Sequence, residues 1–140
     1  KQEDIPASAF DPNVTMEQLR KKAQDFADAR SWGKFHTPRN LMLALVGEVG
    51  ELSEIFQWCG PLTTDDIDKW TDGERTHLEE ELSDVLLYLL MLSSRCNIDL
   101  PKAAMRKVVK NGKKYPVNRS YGVAKTKLSV QNISNDNEEK

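Results

Sequence analysis

Two pairs of acids, each pair spaced three apart, interrupt the leucine-rich stretches of this chain: Glu48 and Glu51 in LALVGEVGELSEIF, and Glu81 and Asp84 in LEEELSDVLLYLL. A helical residue advances about 100°, so positions three, four and seven apart share a face. Glu48 then stands among Leu41, Ala44, Leu45, Leu52 and Ile55, the stripe a helix turns toward a core. Glu51 lies at the edge of that stripe, and Glu54 falls further round toward solvent. The second stretch repeats the pattern: Glu81 shares a face with Leu78, Val85, Tyr88 and Leu92, Asp84 is beside it, and Glu79 and Glu80 point away.

Carboxylates taken out of water are costly, and four packed together also repel one another. Protons, arginines or a divalent metal must compensate. Carboxylate donors with no cysteine or histidine at matching spacing favour a hard cation, magnesium or manganese. One such ion balances half of four negative charges, which leaves a free coordination position and room for a second ion. Magnesium holds polyphosphates in that way. A single three-spaced pair is commonly just part of a solvated face. Two pairs, each centred in a leucine stripe, are not explained so.

The double motif, Glu-x-x-Glu then Glu-x-x-Asp on consecutive helices, resembles the all-alpha nucleoside triphosphate pyrophosphatases of the MazG and dimeric dUTPase group. FHTPRNLMLALVGEVGELSEIFQW followed by EELSDVLLYLL is similar to the eukaryotic dCTP pyrophosphatases, and the likeness runs from about Thr15 to Gly122. It departs from the animal members at Ala23, where they can carry a histidine, and the connector from Glu51 to Glu81 is slightly long for the wider group.

A chain of 140 residues, 39% of them hydrophobic, makes one domain. A net charge of -2 offers no electrostatic reason to expect a nucleic-acid polymer as partner. No apolar run approaches the roughly 20 residues of a membrane span. Cys59 and Cys96 are too few for a disulfide framework, and two free thiols suit a reducing compartment, the cytosol by default.

Residues 1–14 read as a flexible tail, 15–122 as the domain and 123–140 as a disordered tail. Within the domain, helices are expected at about 15–30, 38–58, 73–97 and 100–113, an all-α four-helix bundle with no strand. Thr15 with Gln18 and Thr71 with Glu74 have capping-box form, Thr37-Pro38 opens the second helix, and Gly60-Pro61 ends it. A short helical turn fits Asp65 to Trp70, Pro101 fits the first turn of the fourth helix, and Asn111-Gly112 suits its end. VLLYLLML is apolar nearly all round, which asks for cover from another subunit.

Between the first two helices, SWGKFH is aromatic and broken by Gly33. Trp32 and Phe35 either cap the core or form a wall against which a nucleobase stacks, with His36 bonding at its edge. Arg39, at a helix N-terminus, suits either a phosphate or a structural ion pair. Tyr88, one turn beyond Asp84, either reaches a ligand or packs in the core. Lys110, Lys113, Lys114 and Arg119 gather positive charge after the fourth helix.

The resemblance implies that Trp32 and His36 line the nucleotide pocket and that Lys110, Asn111, Lys114 and Tyr115 approach the nucleotide; with them, Phe35, Trp58 and Tyr88 are expected to hold base and sugar, and Arg39 a phosphate. It further implies a tetramer with pockets between subunits and dCTP, with its 5-substituted forms, as substrate. Magnesium on Glu48, Glu51, Glu81 and Asp84 would activate water for in-line attack at the alpha-phosphorus, with Glu48 or Glu51 taking the proton. A ferritin-like di-iron site would need Glu-x-x-His on two helices, and neither His36 nor His77 stands three after a glutamate. The rival of another class is a non-catalytic helical interaction module that binds metal; the rival within the class acts on another triphosphate.

Overall fold

Three local signals start the principal helices. In the computed structural model, which describes residues 10–122, Thr15 N donates to Gln18 Oε1 at 2.6 Å and Gln18 N to Thr15 Oγ1 at 3.2 Å, opening α1, Met16–Asp28. Thr37 accepts from Asn40 N at 3.2 Å and Pro38 takes the first position of α2, Pro38–Phe56. Thr71 and Glu74 bond reciprocally at 2.8 and 3.3 Å to start α4, Asp72–Arg95. Between the last two lies α3, Thr64–Ile67, where the Thr63 backbone and hydroxyl donate to Asp66 and hold its carboxyl down at about 2. The expected turn at Asp65 to Trp70 is therefore present, one residue earlier and shorter.

The chain divides into two compact units, the first running to Asp99 and the second starting at Leu100. In the first, α2 and α4 pack along one another and α1 packs on α4. The buried apolar side chains are Ala27, Leu41, Leu45 and Leu90. Leu41 and Leu45 belong to the stripe of α2 that carries Glu48, so the acid is directed to this seam by the same period that buries the leucines.

The second unit contains α5, Leu100–Lys114, and α6, Val117–Ser120. Asn111-Gly112 does not end α5 as the sequence suggested. The helix continues to Lys114, Tyr115 N still donates to Asn111 O at 2.8 Å, and the break falls before Pro116, since the residue preceding a proline disfavours the helical region. Pro116 then caps α6, which the sequence reading did not foresee.

The described residues are all-helical apart from turns and loops, with the four long helices expected and no strand. The outer parts of both tails, 1–9 and 123–140, lie outside them. No helix among the described residues is long and apolar enough to cross a membrane.

Candidate metal and nucleotide site

Glu48 and Glu51 come from α2 and Glu81 from the facing α4, and one carboxylate oxygen of each lies within 4.8 Å of the other two. Glu81 is only 8% exposed. Its Oε1 has His77 Nδ1 at 3.6 Å, beyond a good hydrogen bond, and its Oε2 is buried with no hydrogen-bond partner. A buried carboxylate oxygen without a donor costs free energy unless a cation takes it. Glu48 is half-buried, and its carboxyl is pushed up from its ordinary value of 4.5 by burial and by the negative charges of Asp84, Glu51 and Glu81. The donor set is all oxygen and gathered from two helices, and one member is orphaned. It fits a hard divalent ion.

Asp84, the fourth expected ligand, stands apart from that close trio. It is exposed and near enough to raise Glu48, and it lies on a second feature, a cleft of about 440 Å³. Leu19, Ala23 and Phe26 of α1 form one side of this cleft and Leu87, Tyr88 and Met91 of α4 the other, and Trp32 also lines it. Burial, with the charges of Glu48 and Asp84, pushes the Tyr88 hydroxyl up, so it remains a neutral donor there. Asp84 thus joins the carboxylates to an apolar, aromatic cleft.

Trp32 meets Phe26 edge-on at 5.8 Å and His36 at 6.4 Å, so the residue expected in the wall and the one expected at the edge of a base are neighbours. Phe35 is 56% exposed beneath Lys34, outside the lining, and Trp58 is 88% exposed beyond the end of α2. Arg39 is exposed in the first turn of α2, without an ion pair among the described residues. Lys110, Asn111, Lys114 and Tyr115 belong to the second unit, where Lys114 Nζ lies 5.5 Å over the Tyr115 ring. Of the α1 side of the cleft only Ala23 had been singled out, through the resemblance; Leu19 and Phe26 stand with it at helical spacing, and a period of that kind is blind to whether the partner surface fills the stripe.

The raised Glu48 carboxyl fixes a pH dependence. The folded, metal-free protein holds this proton more tightly than the unfolded chain does, so the cost of ionising it is absent below 4.5 and grows as pH rises through the raised value. Metal-free stability should therefore fall from pH 4.5 toward neutrality, more steeply than in Glu48→Gln. Thermal unfolding with chelator across that range measures the difference, and parallel curves would refute it.

The model of the MazG-like family matches residues 44–127. Mouse dCTP pyrophosphatase 1 is 49% identical over 126 residues, spanning 88% of this chain and 74% of the relative. The human protein of that name is 46% identical over 135 residues, 91% and 76% of the two chains. The crystal structure of a pyrophosphatase from Archaeoglobus fulgidus DSM 4304 superposes with a TM-score of 0.63 at 38% identity, over 78% of this chain and 99% of that one. Glu48, Glu51 and Glu81 converging across two helices, and a match that includes both helices in a relative nearly half identical, make this chain a member of the MazG-like family.

Proposed function

We propose that this protein is a dCTP pyrophosphatase, a magnesium-dependent hydrolase that cleaves dCTP, and its 5-modified forms, to the monophosphate and pyrophosphate. The observation that carries the reading is the close carboxylate trio with its orphaned Glu81 oxygen, joined through Asp84 to an aromatic cleft, in a chain about half identical to proteins called dCTP pyrophosphatase 1.

Glu48, Glu51, Glu81 and Asp84 would hold the ion, magnesium by preference and manganese as substitute. When bound, it supplies positive charge to the triphosphate and makes water acidic enough to react near neutral pH. The chain's own groups do the rest. Glu48, whose carboxyl burial and neighbouring anions have made more basic, suits the role of proton acceptor, with Glu51 beside it. Trp32 and Tyr88 enclose the base, with His36 at its edge, and the apolar lining of the cleft excludes water. Lys110, Asn111, Lys114 and Tyr115 are assigned to the phosphates on the family likeness, Arg39 to a phosphate by its place at a helix N-terminus, and Phe35 and Trp58 to base and sugar as aromatic faces. We assign the catalytic domain to residues 15–122, place the protein in the cytosol, where Cys59 and Cys96 stay reduced, and infer a homotetramer.

The decisive assay incubates the protein with canonical and 5-modified triphosphates, with and without magnesium, and measures pyrophosphate and orthophosphate. The expected result is magnesium-dependent pyrophosphate from dCTP, with no orthophosphate. Turnover of another triphosphate alone would reassign the substrate, and no turnover with any of them would leave a metal-binding helical module.

A further inference from the structure

The segment Ser31 to His36 carries the aromatic wall of the cleft but little anchorage of its own: Trp32 is 43% exposed. Its first residue, Ser31, sits at φ 54°, a left-handed conformation that a serine adopts at some cost and keeps only where its surroundings impose it. The sequence pointed to Gly33 as the break, whereas the left-handed residue is its neighbour but one.

Three side chains bear on the segment. Arg30, at the end of α1, lays its guanidinium 3.5 Å over the Phe26 ring and donates from Nη1 to the Phe26 carbonyl at 3.0 Å. From the first turn of α2, Asn40 Nδ2 donates to the Phe35 carbonyl at 2.9 Å. From the last residue of α4, Arg95 Nη2 donates to the Gly33 carbonyl at 3.3 Å. The same nitrogen lies 3.4 Å from where a Cβ on Gly33 would stand, so the guanidinium rests directly on the loop backbone. The Arg30 guanidinium also lies 5.9 Å over the Trp32 ring, so the first two contacts tie the segment to residues adjacent in the chain. Only the third crosses 62 positions to the helix that carries Tyr88 and Asp84, the opposite side of the cleft.

We propose that Arg95 is a positioning residue for the nucleotide: by holding the Gly33 carbonyl to α4 it sets the gap between Trp32 and the Tyr88 side of the cleft. The inference rests on the reading of that cleft as the base site. A cation in the last turn of a helix also complements the helix dipole, a role that affects stability alone and that lysine fills equally well. The positioning role makes a different demand. Without Arg95 the loop must be ordered by the nucleotide itself, and that ordering is drawn from binding energy.

The test compares Arg95→Ala and Arg95→Lys with the parent. Arg95→Ala should raise KM for dCTP about five- to tenfold, the scale of ordering a short loop on binding, with kcat within about twofold. Arg95→Lys, which keeps a donor at the site, should recover part of that loss. In a Trp58→Phe/Trp70→Phe background, where Trp32 alone emits, Arg95→Ala should make the emission more readily quenched by acrylamide. A KM unchanged in Arg95→Ala, or a lowered thermal midpoint with no change in KM or quenching, overturns the proposal and leaves the dipole role. Trp32→Ala tests the cleft separately. If it binds a non-hydrolysable dCTP analogue as tightly as the parent, the base-site reading fails and the role of Arg95 with it; if it weakens while Arg95→Ala does not, only Arg95 is misassigned.

Discussion

Replacing Glu48 with glutamine should cut pyrophosphate release by about a thousandfold or more while leaving the metal-free protein at least as stable as the parent. The two halves of this result have one cause. Glutamine keeps the size and helix preference of the side chain and removes its charge, so a cation loses an anionic ligand and the reaction a proton acceptor. In the metal-free protein the same change is a relief, because burial and the charges of Asp84, Glu51 and Glu81 all work against the ionised form. Magnesium, which stabilises whichever state binds it, should raise the thermal midpoint of the parent and do so much less in the variant. Glu54→Gln, six residues on and exposed, serves as the control and should leave rate and midpoint unchanged. Full turnover in Glu48→Gln, or a variant that unfolds more easily than the parent without metal, would make Glu48 a structural residue and remove the proposed site. Pyrophosphate assays and thermal unfolding with and without chelator decide it.

The second large effect concerns assembly. Val46→Asp should at least halve the mass of the protein in solution, measured by light scattering at micromolar concentration, and lower its thermal midpoint. Met42, Val46 and Val49 recur at helical spacing on α2, and together with Leu43 they are 45% to 57% exposed. They lie off the face where Leu41 and Leu45 are buried, so α2 is apolar on two sides and the chain covers one. Leu82 and Leu89 on α4 are also exposed, in keeping with the nearly all-round apolar character read in its sequence. A monomer rarely leaves so much contiguous apolar surface in water. Burying such side chains against a second copy would contribute about 1.5–3 kcal/mol for each one fully covered. A carboxylate in the middle of that contact would have to be desolvated without a partner, which no neighbouring valine offsets. A parent that already runs as a monomer, or a variant of unchanged mass, would show that this face is not the contact.

The features legible from the chain alone are those whose causes lie within a turn or two. Thr15 with Gln18, Thr37 with Pro38 and Thr71 with Glu74 start their helices through hydrogen bonds spanning three residues, so each start is written locally. Periodicity also placed Glu48 and Glu81 on buried faces; burial of Leu41 and Leu45, for example, turns Glu48, seven and three residues beyond them, the same way. The end of α5 was read less well. Asn111-Gly112 and Tyr115-Pro116 both signal a stop, and only the second is obeyed, because a helical glycine costs about 1 kcal/mol whereas the residue before a proline is sterically pushed out of the helix.

Sequence by itself therefore determined the helices, their capped starts and the chemistry of the acids, because these follow from spacing and side-chain type. Tertiary structure alone decided which acids meet. It drew Glu81 across to Glu48 and Glu51, set Asp84 aside toward the aromatic cleft, left Trp58 in solvent, and brought Arg95 to a carbonyl far earlier in the chain. Those outcomes depend on how α1, α2 and α4 pack, and a helical period specifies which face of a helix is buried without specifying which residue of another helix lies opposite it.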